Sequence, residues 1–243
     1  MIAALSKLDQ DWMNAFGLVA LSFSFVSYYV AGEKKLYLEA NAYPVFRNAE
    51  KGLRWQELVF PVLLFAAIVL VLYWDNAISF HAEISDLHYQ SLLLTFGAAA
   101  LEEVFFRGYL LAGLRRYLRL EIAVLIAAAL FSLAHYSADK PAWLYVGYFT
   151  FAIAMAAVTI KYRSLLFAII FHFIFNYAVG VSEDYFADAY NGQGLFQFHD
   201  RPASILYAQV FIALHLAIIF LCARDYYAAK LRHIDQSSKE FSA

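Results

Sequence analysis

Six side chains in the middle of the chain have the types and spacing to do chemistry: Glu102, Glu103 and Arg107 in Leu-Glu-Glu-Val-Phe-Phe-Arg-Gly-Tyr (101–109), His135 closing Phe-Ser-Leu-Ala-His, and His172 with Asn176. All stand in otherwise apolar runs. A charged side chain near a bilayer centre costs roughly 2.5–3.5 kcal/mol on insertion scales, so such groups are a functional hypothesis by default. Glu103 and Arg107 are four residues apart with the acid first, so on a helix they share a face and can pair. Glu102 is turned by about 100° from that face. Left unneutralised, it is the first choice for a general base. His172 and Asn176 also share a face, and neither they nor His135 has a polar partner within its own segment. Unsatisfied imidazole and amide groups are costly in hydrocarbon, so these faces are expected to turn inward and meet. Peptide hydrolysis needs a water deprotonated beside the carbonyl, donors where negative charge develops, and a proton for the leaving amine. A glutamate, two imidazoles and an amide can supply all three.

The elements that must position these groups are membrane helices. The chain has 243 residues, 63% of them hydrophobic and 16% charged, with a mean hydropathy of +0.58. A soluble domain carries about 25% charged residues. A net charge of −2, with no basic run and no glycine-rich phosphate loop, gives no reason to expect a nucleic-acid partner. Cys222 is the only cysteine, so no internal disulfide forms, and its apolar setting suits a small buried side chain. Seven apolar segments, near 13–30, 57–74, 89–114, 121–137, 141–160, 164–180 and 204–222, approach the ~20 residues that cross a bilayer. The expectation is an all-α polytopic bundle of about seven transmembrane helices, forming one integral membrane domain over 1–243 with a polar, partly disordered cytoplasmic tail from Ala223. The first segment lacks a basic leader and a small-residue cleavage site, so it reads as a retained helix. Short connections at Ser137–Lys140 and Lys161–Arg163 predict tight hairpins, with Pro141 suited to a helix start. Residues 33–56 mix aromatic and basic side chains and read equally well as an interfacial amphipathic element or a solvated connector.

Orientation follows from the basic residues, which are retained on the cytoplasmic side. In alternate loops, fourteen of the eighteen Lys and Arg fall on one side, three fall on the other (Lys7, Lys140 and Arg201), and Arg107 lies within a span. The N-terminus is therefore expected outside and the C-terminus in the cytoplasm. The exterior loops Asp75–His88 and Ser182–Arg201 are acidic or aromatic.

Glu-Glu-Val-Phe-Phe-Arg-Gly (102–108), Phe-x-x-x-His (131–135) and His-x-x-x-Asn (172–176), in that order on successive segments, resemble the signature motifs of the CPBP or Abi family, the type II CAAX prenyl endopeptidases. The resemblance spans about residues 90–180. It implies a glutamic-type intramembrane protease. Glu102 would be the catalytic glutamate, His135 would help activate water, His172 and Asn176 would form the oxyanion site, and Glu103 with Arg107 would support the motif.

Other readings compete. Ser132 stands three residues from His135, but no acid is placed to complete a triad. Two histidines and a glutamate are a known zinc set, though His-Glu-x-x-His is absent. The resemblance to this wider family also implies bacteriocin immunity as an alternative, and a polar intramembrane cluster suits a non-enzymatic binding protein or a transporter as well. His215 reads as a packed or hydrogen-bonded histidine, and His81, His88 and His199 as solvated loop residues. Phe105, Phe106, Phe171 and Phe175 are candidates to line a groove for an apolar substrate. The expected function is hydrolysis of a peptide bond in a membrane-associated or lipidated protein, with membrane lipids as surroundings and no cofactor or metal. The compact chain suits a bacterial inner membrane.

Overall fold

The computed structural model describes residues 86–136, 142–177, 196–198, 209–224 and 226–228, with parts of 20–32 and 63–80. The reading of 33–56 falls outside them. Described residues of 20–32 and 63–74 are helical, within or beside the first two apolar segments. After them come strand β1 (Ile78–Phe80), helix α1 (Asp86–Glu103), a π-helical stretch (Val104–Leu110), α2 (Leu111–Leu114), α3 (Leu120–Ala134), α4 (Ala142–Tyr162), α5 (Leu165–Phe175) and β2 (Phe196–Phe198). A last helix, α6, covers Gln209–Ala228. α4 and α6 are long and apolar enough to cross a membrane, while α3 and α5 are apolar but shorter, at 15 and 11 residues.

Local sequence sets the helix ends. α3 opens after Arg119 in extended backbone, with Glu121 in its first turn. That acid complements the unpaired N–H groups there. α4 begins directly after Pro141 and ends at Tyr162, followed by Arg163 with a left-handed φ of 51°. Ser164 then caps α5, its hydroxyl accepting from the Leu166 N–H at 3.3 Å.

Small residues let the helices approach closely. α3 turns Ala123, Ala127, Ala128 and Phe131 inward, and α4 answers with Ala152, Ala154, Met155 and Ala156. Ile122, Leu125, Ile126, Leu130 and Leu133 cover the opposite face of α3 and are exposed. A helix apolar on both faces is built for an apolar surrounding on one of them.

Three features depart from the all-helical expectation or its boundaries. β1 and β2 pair antiparallel, Ile78 opposite Phe198 and Phe80 opposite Phe196, and so join the two segments read as exterior loops. α1 starts at Asp86, which places His88 in a helix instead of a loop. α6 runs through Ala223 to Ala228, where the Tyr227 hydroxyl donates to Glu121 Oε1 at 2.8 Å. That tertiary bond holds a polar stretch that composition alone marks as loose.

The third apolar segment is also not one uniform helix. At Val104–Leu110 it widens to π geometry, the Leu111 N–H reaching back five residues to the Phe106 carbonyl. Single π turns inside helices occur frequently at functional sites. Gly108 sits in this stretch because a Cβ there would lie 2.9 Å and 3.0 Å from ring atoms of Tyr29, which is itself fully buried.

Candidate active site

α1 ends on Glu102 and Glu103, and its helical pitch sends the two carboxylates in different directions. Glu103 is wholly buried. Its Oε1 lies 3.1 Å from Arg107 Nη1 and 2.7 Å from His172 Nδ1. The i,i+4 pair expected from spacing is therefore present, but its acid also holds a histidine from α5. Glu102 points to the more open side, with about a quarter of its side chain exposed. Its Oε2 lies 3.7 Å from His135 Nε2 and 3.9 Å from His172 Nε2.

The bonding of the two rings fixes which nitrogen faces Glu102. A carboxylate or a backbone carbonyl can only accept, so His172 donates from Nδ1 to Glu103, and His135 donates from Nδ1 to the Phe131 carbonyl at 2.8 Å. In each neutral ring the Nε2 lone pair is then turned toward Glu102. Separations of 3.7 and 3.9 Å are too long for direct hydrogen bonds. They are of a size that one water can bridge.

Beneath the pair, Arg107 is held on three sides. Nη2 donates to the Ala152 carbonyl at 3.2 Å, Glu103 lies on Nη1, and the guanidinium carbon stands 4.7 Å from the Phe131 ring centroid. Phe131 thus serves two groups at once: its ring faces Arg107 and its carbonyl sets His135. His135 is further flanked by the Phe131 and Tyr148 rings at 4.6 and 4.7 Å. Phe151 places its ring 4.8 Å from that of His172.

Five of the six predicted residues, Glu102, Glu103, Arg107, His135 and His172, are brought together. Asn176 is the C-cap residue of α5, partly buried one turn beyond His172, and no hydrogen bond joins its side chain to the other five. Among the described residues no group of three or more His, Cys, Asp or Glu has the arrangement to hold a metal ion. Ser132 donates to the Tyr145 carbonyl at 3.0 Å, so its hydroxyl is engaged in joining α3 to α4. His215 lies buried in α6, 3.2 Å from Thr150 Oγ1 and within a box of Phe151, Phe175 and Phe211. Cys222 is buried as expected. Of the phenylalanines proposed for a groove, Phe106 and Phe171 are in the core instead, Phe175 is partly buried, and Phe105 is exposed. His81 and His199 lie outside the described residues.

Sequence reasoning named Phe131 only as the start of the Phe-x-x-x-His motif and gave it no role, and it did not single out Ala152 or Phe151, which carried no signal.

Residues 84–178 match a family model described as type II CAAX prenyl endopeptidase Rce1-like, and all six residues fall within the match. No curated protein and no solved structure matches the chain.

Proposed function

With residues 84–178 Rce1-like, we propose that this chain is an intramembrane endopeptidase that hydrolyses a peptide bond in a membrane-associated or lipidated protein, with a water activated by Glu102 and His135. A prenylated C-terminal segment is the substrate that the family description names. The observation that carries the reading is the convergence of Glu102 Oε2 with two imidazole Nε2 atoms at 3.7 and 3.9 Å, while both Nδ1 atoms are tied off.

A water between Glu102 and His135 gives one proton to each acceptor and keeps its lone pairs for the scissile carbonyl. As it attacks, Glu102 takes its proton, the role of a general base. The tetrahedral oxygen then needs donors. His172 can donate from Nε2 only when doubly protonated, an imidazolium that pairs with the Glu103 carboxylate, and Arg107 holds that carboxylate in place. The Asn176 amide, one turn along the same helix face, is the second donor. Glu102 then returns that proton to the leaving amine, and the C–N bond breaks.

The test is the purified protein with a fluorogenic farnesylated CAAX peptide. Glu102→Gln is expected to lower turnover about 10²- to 10⁴-fold, the range of general base contributions. His172→Ala or Asn176→Ala is expected to lower it about 10²- to 10³-fold, as for loss of one oxyanion donor. Turnover that survives Glu102→Gln in a folded protein refutes the mechanism and points to a binding or immunity role. Activity that disappears on exhaustive chelation and returns with zinc transfers the chemistry to a metal.

A further inference from the structure

We infer that Tyr148 is a positioning residue for hydrolysis: its ring, brought in from α4, sets the plane of the His135 imidazole and so aims the Nε2 lone pair at the water beside Glu102. This rests on the endopeptidase reading and adds to it a residue outside the three motifs.

His135 needs support from beyond its own helix. It follows the last residue of α3 as the C-cap, with φ −94° and ψ 12°, and its N–H reaches back to the Ser132 carbonyl. A helical side chain leans on the preceding turn, and that turn supplies Phe131, whose carbonyl takes the Nδ1–H at 2.8 Å. That bond chooses the tautomer. One hydrogen bond still leaves the ring able to rock about it, and Nε2, across the ring from Nδ1, swings with that motion.

Ring contacts set the tilt. The Phe131 centroid lies 4.6 Å from that of the imidazole at an interplanar angle of 33°, and the Tyr148 centroid lies 4.7 Å away at 34°. Angles this shallow put ring faces, not edges, against the imidazole. Phe131 belongs to the same helix as His135 and moves with it, whereas Tyr148 refers the imidazole to a second helix. Tyr148 is itself braced. It packs against the core cluster that contains Phe131, Phe151 and Phe171. Its ring lies 6.4 Å from that of Tyr145, which stacks on Tyr136 at 5.7 Å. The row of rings thus leaves the end of α3 at His135, crosses to α4 and returns to the residue that follows His135.

This bracing bears on the chemistry because Nε2 stands 3.7 Å from Glu102 Oε2, the span of one bridging water. A misplacement of about 1 Å can cost about 10²-fold in rate. A ring that rocks by that much loses the geometry in which its lone pair holds the water.

The test uses the purified full chain with the fluorogenic farnesylated CAAX peptide, beside side-chain NMR of the histidine-labelled protein. Tyr148→Leu and Tyr148→Met fill the space without a flat face. They are expected to lower kcat about 10- to 100-fold with KM within about threefold, the pattern of an interaction made in the transition state. Tyr148→Phe keeps the face and is expected to hold kcat within about threefold. The His135 Cε1–H resonance, assigned by its loss in His135→Gln, is expected to move downfield in Tyr148→Leu, which removes a shielding ring current, and to stay in place in Tyr148→Phe. Ser132→Ala loosens the same two helices without touching these rings and is expected to leave both readouts in place. Full kcat in folded Tyr148→Leu, an unmoved His135 resonance, or an equal loss in Tyr148→Phe overturns the inference. So does failure of both the Leu and Met variants to fold, seen as early reaction of the buried Cys222, because that marks a packing role. Each of these outcomes leaves the endopeptidase reading standing so long as the parent's turnover falls in Glu102→Gln. Turnover that survives Glu102→Gln brings down the endopeptidase reading, and this inference with it.

Discussion

Replacing Glu103 by glutamine removes a charge and leaves the shape, and so isolates what the buried ion pair does. Arg107 is 3% exposed and, among the described residues, its carboxylate at salt-bridge distance is Glu103, 3.1 Å away. Breaking a buried pair by removing one partner typically destabilises by 3–5 kcal/mol, because the other charge is left uncompensated. The same range applies to Arg107→Met, which strands Glu103 between His172 and an apolar side chain. The double variant Glu103→Gln/Arg107→Met strands neither charge. It still loses the bond to the Ala152 carbonyl and the contact with Phe131. It should therefore destabilise by much less than the sum of the singles, with a coupling of about 2 kcal/mol or more. At about 2–4 °C per kcal/mol for a chain of this size, each single variant lowers the unfolding temperature by roughly 6–20 °C. Cys222 supplies the assay: buried in the folded state, it reacts with a thiol-sensitive dye only as the protein opens. Groups in one network couple by 0.5–3 kcal/mol, whereas independent sites add to within about 0.5 kcal/mol. Additive losses in the double variant would refute the network.

Further expectations follow from the same contacts. Ser132→Ala should leave peptide turnover within about threefold of the parent while lowering stability by about 1 kcal/mol, since the hydroxyl is engaged with the Tyr145 carbonyl; a loss of hydrolysis in a folded variant would restore the serine reading. Gly108→Ala should destabilise by about 1–3 kcal/mol through the clash with Tyr29, and Tyr29→Leu should shrink that penalty, as thermal unfolding of the pair would show. The Phe151 ring lies between His215 and His172, and His215 Nε2 is buried with no hydrogen-bond partner among the described residues. Replacing both residues together by His215→Phe and Thr150→Val should be close to neutral or stabilising with turnover retained, because apolar groups of similar shape leave no polar atom stranded. A large loss of turnover in that variant would bring His215 into the mechanism.

The apolar helices and the motif positions were legible because both are local. Hydropathy marks the helices, and spacings of four put Glu103 with Arg107 and His172 with Asn176 on shared faces. The partner of His172 was not legible. Glu103 is 69 residues away, and nothing in either segment says which of two adjacent glutamates turns toward α5. The pairing of Glu103 with Arg107 inferred from spacing is present, but Glu103 holds two partners where spacing suggested one. The β1 and β2 pairing was hidden because three-residue strands within loops leave no alternating pattern. The reach of α6 into the tail depends on Tyr227 finding Glu121, 106 residues earlier in the chain. Composition also cannot reveal π geometry, since the widened turn over Val104–Leu110 uses the same residue types as the helices around it.

That widened turn lies between the carboxylates at the end of α1 and the start of α2, so it acts as a phase shifter. Relative to an uninterrupted α-helix it accommodates one surplus residue, and removing one would rotate everything upstream by about 100° against everything downstream. A one-residue deletion within 104–106 could restore an ordinary hydrogen-bond ladder and still be ruinous. The glutamates would swing around the axis while Leu111 and Leu114 kept their seats, and the pocket would lose its acids without the helix losing its shape.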